Sequence, residues 1–170
     1  MERRNSAHEL VVESITGALL ILMERKPFES INISELCEKA GVSRASFYRN
    51  FKTKDDILVK HLKRLTDDWW IEFEKKSPNE FYATFWTELL EQYRKNKKVI
   101  NLIKQNNLSH ILKEHIFLCC GPKPEQDEKT AFICAAIAGA IYGYVDEWLN
   151  RGMDSVPPQI SFRNMLSVIE

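Results

Sequence analysis

Apolar positions recur at helical spacing along the whole chain. Leu10, Val11, Ile15, Ala18, Leu19 and Leu22 form a first stripe, opened by Ser6 and Glu9 at capping-box spacing and closed by Pro27–Phe28. Asn32 and Glu35 open a short helix that turns Leu36 and Ala40 inward, and Gly41 supplies the turn that ends it. Ser43 opens a second short helix. Thr53 and Asp56 open a longer one through Ile57, Leu58, His61, Leu62, Leu65 and Trp69, predicted to run from about 54 to 76. Further stripes follow at Phe81, Phe85, Trp86, Leu89, Leu90 and Tyr93, at Val99, Leu102 and Ile103, and at Leu108, Ile111, Leu112, His115 and Ile116. The segment "GPKPEQDEK" reads as a loop before a helix from about Asp127 to Arg151. After "MDSVPP", Phe162, Met165, Leu166 and Ile169 mark a last amphipathic helix. The pattern predicts an all-α fold of about nine helices.

A chain of 170 residues can bury a core without disulfides or metals. Charges balance overall, but between Val42 and Arg64 seven basic residues (Arg44, Arg49, Lys52, Lys54, Lys60, Lys63, Arg64) face only Asp55 and Asp56. A local basic patch on a neutral chain fits a phosphate-binding face. Cys37 and Cys134 sit in apolar patterns and read as small core residues of a reducing cytoplasm, and Cys119–Cys120 as packing near a helix end. Glu2, Arg3 and Arg4 lead into an amphipathic stretch, so no signal peptide is expected. "AFICAAIAGAIYGYV" is shorter than the about 20 apolar residues of a membrane span and predicts a helix buried on every side, with no membrane partner. No nucleophile–base pair, metal set, Gly-rich phosphate loop or H-E-x-x-H is evident. The chain is expected to be no enzyme and to hold no metal or cofactor.

The stretch "AGVSRASFYRNFKTKDDIL" crowds donors onto a short segment: Ser43, Arg44, Ser46, Tyr48, Arg49, Asn50, Lys52 and Lys54. Two short helices joined by a Gly-containing turn make a helix-turn-helix, whose second helix enters the major groove. Phe47 and Phe51, four apart, would anchor that helix. Arg44, Ser46, Tyr48, Arg49 and Asn50 would then project toward phosphates and base edges, with Lys54 adding charge at the next helix start.

"INISELCEKAGVSRASFYRNFKTKDDIL" resembles the TetR/AcrR family of bacterial transcription regulators. The resemblance implies a three-helix DNA-binding domain over 1–52 and a helical ligand and dimerisation domain over 53–170, linked by the helix from about 54. It places Asn32 and Ser34 on phosphate or sugar, Arg44 and Ala45 nearest the bases, and Ser46, Tyr48, Asn50 and Lys54 on the backbone, with Arg49 close to either. Asn32, Ala45, Ser46 and Asn50 stand where the family often has Thr, Gly, Thr and His; each keeps small size or hydrogen-bonding ability.

The resemblance further implies a pocket for a small apolar or aromatic effector. Its candidates are Trp69, Trp70, Phe73, Phe85, Trp86, Leu89 and Tyr93, with no inward charge to mark the ligand. It implies homodimerisation through the last two helices. There Ala131, Ala135, Gly139 and Gly143 make a smooth strip, and the interface candidates are Ala135, Gly139, Ile141, Gly143, Tyr144, Trp148, Phe162, Met165, Leu166 and Ile169. The function implied is a dimeric cytoplasmic repressor of a palindromic operator, released by the effector. The alternatives are activation, or control by a protein partner.

Overall fold

The computed structural model describes residues 2–153. Among these it is all-helical: α1 (Glu2–Met23), a single 3-10 turn at Phe28–Ser30, α2 (Ile33–Ala40), α3 (Arg44–Asn50), α4 (Lys54–Phe73), α5 (Pro78–Lys95), α6 (Lys97–Gln105), α7 (Ser109–Cys120) and α8 (Glu128–Asn150). The last predicted helix, with Phe162, Met165, Leu166 and Ile169, lies outside the described residues.

The local signals act where they were expected, with three adjustments. Asn32 Oδ1 accepts from the Glu35 N–H at 2.9 Å, Ser43 Oγ from the Ser46 N–H at 3.1 Å, and Thr53 Oγ1 from the Asp56 N–H at 3.1 Å. Each satisfies an amide that the first helical turn leaves without a carbonyl. Gly41 takes φ 67°, and the following Val42 N–H bonds back to the Cys37 carbonyl, closing α2. The adjustments are that α1 begins at Glu2, before Ser6; that α4 stops at Phe73; and that the Glu35 carboxylate turns to Lys26 instead of the cap.

One apolar core runs through the molecule. At one end Ile15 and Leu19 of α1, Leu36 of α2, Phe47 of α3 and Ile57 and Leu58 of α4 are fully buried. At the other, Ile100 and Ile103 of α6, Ile111 and Leu112 of α7 and Val145 and Trp148 of α8 are. Helix α7 packs against both α4 and α8. Thus α7 joins the outer helix to the element that follows α3.

Candidate nucleic-acid interface and effector cavity

Phe47 and Phe51 sink into the core with ring centroids 6.0 Å apart, so the short helix α3 is held by its aromatic side. Tyr48 stands edge-on to Phe47 at 5.2 Å and remains half exposed. Arg44, Ala45 and Ser34 are exposed. The Arg49 guanidinium is steered along the helix by donating to Ser46 Oγ at 2.9 Å. Asn50 folds back to donate to the Ser46 carbonyl at 2.7 Å, and its Oδ1 is buried with no partner. Asn32 spends its oxygen on the cap, and its amide nitrogen stays available as a donor.

Lys54 does not belong to this surface. Its Nζ donates to the Phe28 and Ile31 carbonyls, each at 2.6 Å, and sits 4.4 Å over the Phe28 ring. The Phe28 carbonyl already accepts the Ile31 N–H at 3.1 Å, and the ammonium adds a second donor there and one to the Ile31 carbonyl just past the 3-10 turn. Its partial desolvation lowers its pKa. The basic patch thins further. Lys60 pairs with Asp56 at 3.0 Å, Lys63 with Asp67, and Arg64 with Glu13 at 3.2 Å. Of the seven cations counted in the sequence, Arg44, Arg49 and Lys52 keep exposed side chains without an ion pair among the described residues. The Lys52 backbone N–H, by contrast, is fixed on Asp56 Oδ2 at 3.0 Å.

Between α4, α5, α7 and α8 lies a cavity of about 210 Å³. Trp69, Trp70, Phe85, Leu89 and Tyr93 line it, as the sequence predicts. Phe73 does not: it is fully buried behind the wall, 5.1 Å from Trp69 and 5.7 Å from Phe85. Trp86 turns away to pack on Tyr144 of α8 at 4.3 Å. The wall also holds what the aromatic pattern does not reveal: Lys63, Thr66 and Asp67 of α4, and His115, Cys119 and Cys120 of α7. So the cavity does carry charge, in the Lys63–Asp67 pair. It also holds a thiol–imidazole contact, Cys119 Sγ lying 3.8 Å from His115 Nδ1. His115 and Cys119 are four apart on one helix face; that spacing was visible in the sequence.

Burial lowers the His115 pKa to about 4, leaving the imidazole neutral at pH 7, and pushes the Cys120 thiol up to about 11. Cys119 and Tyr93 are likewise raised by burial. The imidazole gives a pH expectation. An unfolded histidine titrates near 6.5, so between pH 6.5 and 4 the unfolded chain binds a proton that the folded one does not. Stability from His115 is therefore complete above pH 6.5 and falls by about 3 kcal/mol on acidification through that window. Urea midpoints at pH 7 and pH 5 should differ by about 2 kcal/mol in stability from this group. His115→Gln should flatten the difference without abolishing it, because half-buried His61 is shifted in the same direction.

Helix α8 is long and apolar enough by length and composition to cross a membrane, yet 28% of its most apolar window is buried inside the protein. This corrects the expectation of burial on every side. Ile141 and Trp148 are packed within the chain, as are Val145 and Leu149, so these two interface candidates do not face outward. Ala135 and Tyr144 are half-buried, and Gly139 and Gly143 are exposed. The face left open carries Phe132 (70% exposed), Ile133 and Ile137 (49% each) and Ala136. A Cβ added at Gly139 or Gly143 would meet no atom within 4 Å.

Residues 15–60, from the middle of α1 into α4, match the family model described as bacterial regulatory proteins, tetR family. No curated protein matches the chain.

Proposed function

We propose that this chain, whose residues 15–60 match the model of the tetR family of bacterial regulatory proteins, is a DNA-binding transcriptional regulator of that family: a dimeric cytoplasmic repressor, reading a palindromic operator through α3 and released by a small aromatic effector in the α4–α8 cavity. The observation that carries the reading is α3 itself. A seven-residue helix pinned by Phe47 and Phe51 presents Arg44, Tyr48 and Arg49 to solvent with the Arg44 side chain unspent. Arg44 would reach base edges, while Tyr48, Ser46, Arg49, Lys52 and the α2 start at Asn32 and Ser34 would hold phosphates. Residues 1–52 would form the reading domain and 53–170 the sensing and pairing domain.

Helix α7 supplies a route between cavity and DNA. Its C-terminal half, from His115 to Cys120, is cavity wall. At its start His110 Nε2 contacts Asp55 Oδ1 at 3.0 Å, in the first turn of α4. Just before it, Asn106 Oδ1 accepts the Phe28 N–H at 2.8 Å, beside the carbonyl that Lys54 holds. A ligand that displaces α7 would therefore tilt α4 and α3 together. Effector and operator would then oppose each other with one reciprocal coupling energy.

The test is fluorescence anisotropy on the DNA upstream of the gene, against random DNA, over a salt series. With two phosphate-seeking cations per chain, Arg49 and Lys52, in a dimer, the slope of log K against log salt is expected at about −4. Equal affinity for random DNA would sink the operator reading.

A further inference from the structure

We propose that the cavity captures small aromatic electrophiles of the quinone class covalently, with Cys119 as the nucleophile and His115 as the hydrogen-bond partner that positions its thiol. The inference rests on the cavity being the effector site, and names the chemistry of what enters it. Three observations meet in one place. The walls are flat and aromatic: Trp69, Trp70, Phe85 and Tyr93. An apolar cavity of about 150 Å³ already holds benzene, so about 210 Å³ takes one ring with its substituents. The nucleophile and the imidazole that positions it are preassembled, Cys119 Sγ to His115 Nδ1 at 3.8 Å, on consecutive turns of α7. The Lys63 ammonium, ion-paired to Asp67, lines the same space, where it could also donate to an oxygen gaining negative charge.

The step balances without a further reagent. Sγ forms a bond to a ring carbon of the quinone while the ring C=C π bond opens onto the carbonyl oxygen. The thiol proton ends on that oxygen, which becomes basic as the ring gains the electron pair. Loss of the ring proton at the attacked carbon and its return to the second oxygen leave a hydroquinone thioether. The quinone is reduced to the hydroquinone level by the addition, and its whole mass stays on the protein. Burial, which raises both cysteine thiols, keeps them largely protonated at neutral pH and quiet toward oxidants in bulk solvent. Reaction is thereby reserved for a strongly electrophilic molecule that the cavity holds against the Cys119 thiol.

The test uses the full chain with 2-methyl-1,4-benzoquinone, followed by intact mass and peptide mapping. The expected result is one quinone per chain, on Cys119, formed more slowly when toluene competes for the cavity. Cys119→Ser should abolish it with Cys120 intact, and His115→Gln should slow it, because the thiol loses the ring nitrogen that positions it. The toluene competition is run on the unaltered chain, so it decides even where a variant folds poorly. Label spread at similar rates over Cys37, Cys120 and Cys134, or labelling indifferent to toluene, would overturn the proposal. Operator anisotropy on the same samples separates the two readings. An adduct on Cys119 with DNA still bound supports capture and removes the effector role. DNA release on quinone addition with Cys119 unmodified keeps the effector role and removes capture.

Discussion

An Arg44→Ala variant should lose operator affinity by ~100-fold or more, while Lys54→Ala should keep the salt slope and lose stability instead. The two lysine and arginine positions look alike in sequence, ten residues apart in one basic stretch, and the structure separates them. Arg44 projects from the first turn of α3 with its side chain unspent. A bidentate Arg–base contact is worth about 1–3 kcal/mol, and a dimer loses two at once. Removing Lys54 leaves the Phe28 and Ile31 carbonyls without their shared donor, at a cost of about 2 kcal/mol. It would also free the 3-10 turn from the start of α4. Lys52→Ala supplies the third pattern: a phosphate contact only, weakening all DNA alike and reducing the salt slope by about 1 per chain. Anisotropy over a salt series, with urea melts of the same proteins, distinguishes all three. Loss of DNA affinity by Lys54→Ala at unchanged stability would return that residue to the DNA surface.

Lys54 also shows where reading the chain by type and spacing stops. Helix caps were legible because they are local: Asn32, Ser43 and Thr53 each bond an amide three residues on, and no distant partner competes. The anchoring of α3 by Phe47 and Phe51 was legible for the same reason, one helical turn fixing one face. Charge was not. Whether a lysine is free depends on carboxylates and carbonyls brought near by folding. Glu13 reaches Arg64 across 51 residues, and the Phe28 carbonyl reaches Lys54 across 26. The cavity was half legible: its aromatic wall follows from α4 and α5 periodicity. The thiols and the imidazole enter because α7 packs against α4, a tertiary contact, whereas the Lys63–Asp67 pair is a local i,i+4 pair on α4 itself. Residues such as Phe73 and Trp86 show the converse. An aromatic side chain satisfies a core as readily as a pocket, and only the packing decides which.

Helix α8 carries the other large effect. Ile137→Asp should turn the proposed dimer into a monomer and, with it, lose tight operator binding. The substitution touches no core, since Ile137 is half exposed and stands beside Phe132, Ile133 and Ala136 on a face the protomer leaves uncovered. A monomer's thermal melt should therefore survive, while sedimentation shifts to one chain. Two-fold pairing is what would set the recognition helices in successive major grooves about 34–36 Å apart, so a lone half-site reader keeps mostly the nonspecific phosphate term. The glycines make the sign of a second substitution diagnostic. Gly139 and Gly143 sit in the interior of a helix, where glycine costs about 1 kcal/mol against alanine. Among the described residues nothing crowds a Cβ at either place. If no partner helix lies against this face, Gly139→Ala and Gly143→Ala each stabilise the protein. A close-packed partner reverses the sign: the added methyls push the helices apart, and the dimer dissociates at higher protein concentration than the unaltered chain. Stabilisation together with unchanged assembly would refute the pairing of chains through α8.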